Sequence, residues 1–106
     1  MLVVTTETIG SKRIVKSLGL VRGNTVRARN VGKDITAGLR ALVGGEISEY
    51  VKLMAEAREQ SVDRMIEAAE QLGANAVVAT RFTTSMVMSG AAELLATGTA
   101  VIVEDD

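Results

Sequence analysis

The chain of 106 residues has the size of one domain, and its 47% apolar content excludes a disordered chain and leaves no room for a second independent core. A formal net charge of −1 argues against general affinity for nucleic acid. The absence of His and Cys excludes disulfides, structural zinc, Cys–His catalysis and Ser–His–Asp triads.

Only Tyr50 and Phe82 are aromatic, so Val, Ile, Leu, Ala and Met must fill a modest core. No apolar run is long enough to span a bilayer. The opening Met-Leu-Val-Val-Thr-Thr-Glu is too short, and lacks the basic flank, to be a secretory signal. The expectation is a cytoplasmic protein without a membrane partner, a single domain over residues 1–106.

In chain order, β-branched residues predict a short strand at Leu2–Thr5, followed by a turn through Gly10 and Ser11. From Arg13 to Arg29 the chain reads as one long strand or two joined by a bend, with a β-bulge at Gly19 or Gly23. The loop Asn30–Asp34 leads into a short helix whose Ile35, Leu39, Leu42 and Val43 share one face. Asp34 sits at its start, and Gly44-Gly45 ends it.

A long helix follows from about Ile47 to Leu72. Its stripe runs through Ile47, Tyr50, Met54, Ala57, Ser61, Met65, Ala68 and Leu72, widened by Val51, Val62, Ile66 and Ala69. Gly73 is its expected C-terminal cap. Ala74–Met88 and Leu94–Glu104 read as an antiparallel hairpin connected through Ser89-Gly90. The order is strand, helices, strand, strand, with the helices on one face of the sheet.

Both faces of that hairpin look dry. Strict alternation puts Ala76, Val78, Phe82, Met86 and Met88 on one side, and Val77, Ala79 and Val87 on the other. Two helices can cover one face only, so association between copies is expected to hide the second. Charge points the same way: residues 1–45 carry +6 and residues 46–106 carry −7. Arg22, Arg27 and Arg29 of one copy could face the acidic helix of the next, in a head-to-tail ring.

Few side chains carry chemistry. Met86-x-Met88 would place two thioethers on one side of a strand, but two ligands make a poor Cu(I) site, and ordinary packing is the reading taken. Gly32-Lys33-Asp34 lacks the remainder of a phosphate loop and reads as a bend, although an anion could meet Lys33 at the helix start. The basic stretch Lys12–Arg29 lacks aromatic platforms for nucleic acid. Arg58 is the one charge inside the apolar stripe of the long helix. It calls for a carboxylate or carbonyl, either Asp34, a residue across a subunit boundary, or a ligand in a cleft that Tyr50 would also line.

Thr5-Thr6, Leu18-Gly-Leu-Val-x-Gly23, Asp34 with Arg40, and Val43-Gly-Gly45 followed by Tyr50 carry a resemblance that continues to the C-terminus. Ala57-Arg58-Glu59, Leu72-Gly-Ala-Asn-Ala-Val-Val78 and Gly98-Thr-Ala-Val101 complete it. In this order and spacing the chain resembles the YbjQ family, small uncharacterised bacterial and archaeal proteins conjecturally labelled heavy-metal-binding. The resemblance implies an α+β fold of two layers, β-α-β-β and dodecin-like. An antiparallel sheet would be packed by one short and one long helix, in a homopentameric ring. It transfers no catalytic residue, and without His or Cys no metal site or cofactor is carried over.

The expected function is therefore a non-enzymatic oligomeric module that holds a small ligand or ion between its subunits. Arg58, Tyr50, Asp34 and Arg40 are the candidate contacts. The alternative is a scaffold ring that presents acidic helix faces to a protein partner. An enzyme built on carboxylates such as Glu59 or Asp34 would need a paired geometry that the spacing does not single out.

Overall fold

A computed structural model describes residues 1–28, 47–88 and 91–106, with side chains for 1–27, 51–87 and 91–106. The short helix expected at 34–43, its glycine stop, and the Ser89-Gly90 connection lie outside the described residues. The elements are β1 (Leu2–Val3), β2 (Lys12–Ala28), α1 (Ile47–Gln71), β3 (Ala76–Met88) and β4 (Ala91–Asp105). They form an α+β fold in which one four-stranded sheet, in the order β1-β3-β4-β2, is packed by a helix. The sheet is mixed rather than antiparallel throughout. β1 runs parallel to β3, because it enters beside the strand that follows the helix.

Strand β2 is single and 17 residues long. At about 3.3 Å per residue that is roughly 55 Å of chain, and the molecule measures 56 × 21 × 16 Å. Its radius of gyration is 17.4 Å, against about 13 Å for a globular chain of this length. The pairing of β2 with β4 slips between Ile14 and Lys16 and again between Ser17 and Gly19. The expected bulge thus falls at Gly19, where φ is +114°.

Gly23 has another use. A Cβ there would overlap the Ser61 carbonyl and lie 2.5 Å from the Met65 nitrogen, so the missing side chain lets α1 lie directly on β2. Helix α1 buries Ala57, Ser61, Met65 and Ala69 completely, a strict i, i+4 stripe. Val51 and Leu72, assigned to the stripe by periodicity, are exposed. Val21, Met65, Ala69, Val77, Ala96 and Ala100 make the core between helix and sheet.

The helix stops in a Schellman motif. Gly73, at φ +86°, donates its N–H to the Glu70 carbonyl at 2.9 Å, and Ala74 donates to the Ala69 carbonyl at 3.0 Å. Asn75 then continues the β4 ladder with its side chain. Its Nδ2 donates to the Val103 carbonyl at 2.9 Å, and its Oδ1 accepts from the Val103 N–H at 2.8 Å.

The helix-free face is not bare along its whole length. Ala76, Val78, Val101 and Val103 form a second core there, covered by Val4 and Ile9 from the chain between β1 and β2. The sequence reading gave Val4 to a short strand and the residues after it to a turn, and gave neither a role as cover. Farther along, the face alternates Leu20 and Val26 with Arg22 and Asn24, opposite Thr99, Thr97, Leu95 and Glu93. That stretch is half polar, so the expectation of two dry faces holds only in part.

A β-bulge explains the rest of the discrepancy. Val78 pairs with Thr99 and Arg81 with Thr97, so Ala79 and Thr80 together oppose one residue of β4. Ala79 takes φ +53°. Past this point Phe82 and Met86 pair with Ala96 and Ala92 and share the helix side of the sheet with them, whereas Ala76 and Val78 face the other way. The alternation read from sequence placed all four together, and the extra residue separates them. A further irregularity falls between Met86 and Met88, so the regular spacing on which a thioether pair would depend is broken.

Candidate functional site

Helix and β2 are tied by a small polar network before they diverge. Ser61 is fully buried. Its Oγ lies 2.9 Å from the Ala57 carbonyl, 3.0 Å from the Leu94 carbonyl and 3.1 Å from the Thr25 hydroxyl. A serine has one proton to donate, so it serves one carbonyl while its lone pairs accept from Thr25. Arg64 adds a link, its Nη1 donating to the Asn24 carbonyl at 2.6 Å.

Alternation along β2 carries Val21, Gly23, Thr25 and Arg27 onto the helix side. At Arg27 the helix and strand part, and a cleft of about 470 Å³ opens between them. It is lined by Arg27, Lys52, Ala55, Glu56, Glu59, Gln60 and Asp63. No β4 residue is in this lining, so the cleft lies on the outer flank of β2, the edge strand of the sheet. Its charged groups are held by spacing: Lys52, Glu56, Glu59 and Asp63 recur every three or four residues on one helical face.

Arg27 is the group with capacity to spare. Its Nη2 donates to Gln60 Oε1 at 2.7 Å, while its Nε is buried with no partner among the described residues. A guanidinium in this state binds an acceptor, and the carboxylates around it accept donors. Such a cleft can hold a small molecule bearing both kinds of group. A smaller hollow of about 340 Å³, lined by Arg22, Asn24, Glu93 and Leu95, lies on the helix-free face.

Of the residues singled out from sequence as ligand contacts, only Arg58 has a described side chain. Arg58 is exposed and lines neither cleft, one position round the helix from the buried Ala57. It therefore flanks the apolar stripe instead of interrupting it. Tyr50 falls within α1, but its side chain is outside the described set, as are Asp34 and Arg40 entirely. Arg27, assigned to the next subunit's acidic helix, meets Gln60 of its own helix. Two other basic residues form ion pairs within the chain, Lys12 with Asp105 at 2.6 Å and Arg13 with Glu104 at 3.0 Å. Sequence reasoning missed the Arg27 cleft; the signal available was a run of helix charges at three- and four-residue spacing opposite a basic strand end.

A family profile described as "Putative heavy-metal-binding" matches residues 1–104. UPF0145 proteins are similar over nearly the whole chain. The one from Methanosarcina acetivorans is 58% identical over 101 residues, covering 95% of each chain. The one from Halorubrum lacusprofundi is 62% identical over 96 residues, covering 91% of this chain and 92% of the relative. The one from Clostridioides difficile is 57% identical over 106 residues, covering 100% and 95%. A crystal structure of a Pediococcus pentosaceus protein of unknown function, from the DUF74 family, superposes with a TM-score of 0.67 at 11% identity, covering 98% of each chain. That likeness shows a shared fold.

The metal in the profile's description does not fit the donors present. The chain has no His or Cys, and among the described residues no three His, Cys, Asp or Glu side chains are grouped to hold an ion. Met65 is sealed in the core and Met86 stands exposed on β3. Heavy-metal sites need converging soft ligands, and these thioethers do not converge.

Proposed function

The chain belongs to the YbjQ family of UPF0145 proteins, and from that premise we propose a non-catalytic oligomeric module that binds a small polar ligand or ion in the Arg27 cleft between copies. The observation that carries this reading is the buried, unpartnered Nε of Arg27 on a cleft rimmed by Glu56, Glu59 and Asp63. A folded chain gains by satisfying such a group, and a ligand acceptor satisfies it where the chain does not. The family resemblance supports a dodecin-like homopentamer as the assembly. The elongated protomer, with a radius of gyration of 17.4 Å, and its exposed Leu20, Val26, Phe82 and Met86 support association as such.

Thermal melting against a panel of metal ions, inorganic anions, amino acids and nucleotides tests the reading. A ligand at one hundred times its Kd stabilises the native state by about 2.7 kcal/mol, a rise in Tm of roughly 10 °C for a domain of this size. The Arg27→Ala variant should lose that rise. A panel that leaves the wild-type Tm unmoved contradicts the proposal.

A second reading has its own observation. Glu56, Glu59, Asp63, Glu67 and Glu70 are all exposed along α1, which suits a scaffold presenting an acidic face to a basic protein partner. Affinity capture from lysate that returns only the protein itself contradicts this one.

A further inference from the structure

The sheet has two long open edges, and they have different characters. On one side β1 covers β3 only at Ala76 and Val77, and the bulge residues Ala79 and Thr80 bond back to Thr6 and Val4. From Arg81 to Met88 the outer edge of β3 has no strand beside it among the described residues. No charged residue occurs between Phe82 and Ala92, while Phe82, Met86 and Val87 are 53%, 75% and 55% exposed. A long, uncharged strand edge with exposed apolar residues is a template for pairing. On the other side, β2 carries five basic residues and no acidic one.

We propose that the free edge of β3 in one copy continues the sheet beside the outer edge of β2 in a second copy, so that Phe82 and Met86 wall the Arg27 cleft of that neighbour. Three observations select this occupant. Pairing β2 with another β2 would set two purely basic strands side by side, which costs energy. Sheet continuation keeps each face on its own side, and Phe82 and Met86 are on the helix side, the side on which the cleft at Arg27 opens. Finally, Ala28 is in register with Ala91, and Ala91 with Met88. Both free stretches therefore lie at the same end of the sheet, and a rotation about an axis roughly along the strands brings them together. Such a head-to-tail contact closes as a ring. The inference rests on the proposed assembly and deepens it: the ligand cleft is an open groove in one protomer and becomes a pocket only with the neighbour's β3.

The test is a charge exchange read by native mass spectrometry and by dilution. Met86→Glu puts a carboxylate against Glu56, Glu59 and Asp63 of the neighbour, and should raise the dissociation midpoint about tenfold or more. At 75% exposure the change leaves the protomer fold intact, which circular dichroism verifies. Glu59→Lys added to Met86→Glu should restore assembly to about the wild-type midpoint. Within one chain Met86 is on β3, whereas Gln60, next to Glu59, bonds Arg27 of β2, two strands away, so rescue reports contact between copies.

Met86→Glu that assembles normally, or a double variant without rescue, overturns the edge contact while leaving the ring reading standing. A wild-type protein that is monomeric at micromolar concentration overturns both. Hydrogen exchange on the wild type gives an independent reading. Amides in Arg81–Met88 should become protected in the assembly relative to the dissociated protomer, and equal exchange in both states contradicts the contact.

Discussion

Ser61 and Thr80 are both buried hydroxyls, and their removal should have opposite effects. Ser61 bridges α1 to β2 and β4, so Ser61→Ala removes the acceptor of the Thr25 hydroxyl and the one proton offered to the Ala57 and Leu94 carbonyls. A loss of about 1–3 kcal/mol is expected in the denaturant midpoint. Thr80 Oγ1 is buried with no partner. Thr80→Val keeps the shape, removes the unsatisfied oxygen, and should stabilise by up to about 1 kcal/mol. Periodicity located Ser61 correctly on the buried stripe, but it could not show the cross-tie, because the partners are 36 and 33 residues away in sequence.

Charge has a smaller part at this scale. The hydrogen bond and then the charge of Lys12 hold the Asp105 carboxyl below its ordinary value of 3.8. Because the folded value is lowered, the pair's contribution is complete above the ordinary value and disappears as pH falls through the folded one. The pair is exposed, so added salt should weaken it as well. An acid titration of stability in Asp105→Asn against wild type, at low and high ionic strength, should show the two curves converging.

Among the elements, α1 is the one most fully legible. Its expected span of Ile47 to Leu72 differs from the observed Ile47–Gln71 by one residue, and Gly73 caps it as expected. Gly23 was legible as an interruption but not as the seat of the helix. Gly23→Ala would drive a methyl group into the backbone of α1 at Ser61 and Met65, and overpacking of this kind costs about 3 kcal/mol or more. Gly73→Ala meets no neighbour within 4 Å, so its cost is conformational, about 1–2 kcal/mol. Comparing the two melting temperatures separates contact from backbone strain.

Strand β3 was the element least legible in detail. A bulge leaves no composition signal when its extra residue is an alanine, and a sequence pattern of period two carries straight through it. The segment between β1 and β2 was likewise invisible as cover, because Val4 read as part of a strand and Ile9 is a single apolar residue in a polar stretch.

For the whole molecule, composition pointed to a modest core of Val, Ile, Leu, Ala and Met, and the cluster between helix and sheet is built from Val, Met and Ala of that set. The basic–acidic division was real in sequence, yet part of it closes inside the chain through Lys12–Asp105 and Arg13–Glu104. Of the candidate site, Arg58 lines neither of the two hollows described, and Arg27 was noticed for its charge without its own helix being recognised as its partner. That pairing depends on where α1 settles along β2, which Gly23 and Ser61 decide, and no local pattern encodes it.

The doubled position at Ala79 and Thr80 also bears on how β3 tolerates the loss of a residue. Ala79 is a spare link: excising it leaves Thr80 opposite Gly98 and Arg81 still opposite Thr97, so every downstream side chain keeps its present side. Excising Thr83 instead would shift the frame, sending all that follows to the wrong surface of the ribbon. Two proteins of equal length, each lacking a single residue four places apart, should thus differ sharply, the first folding and associating like the parent and the second precipitating.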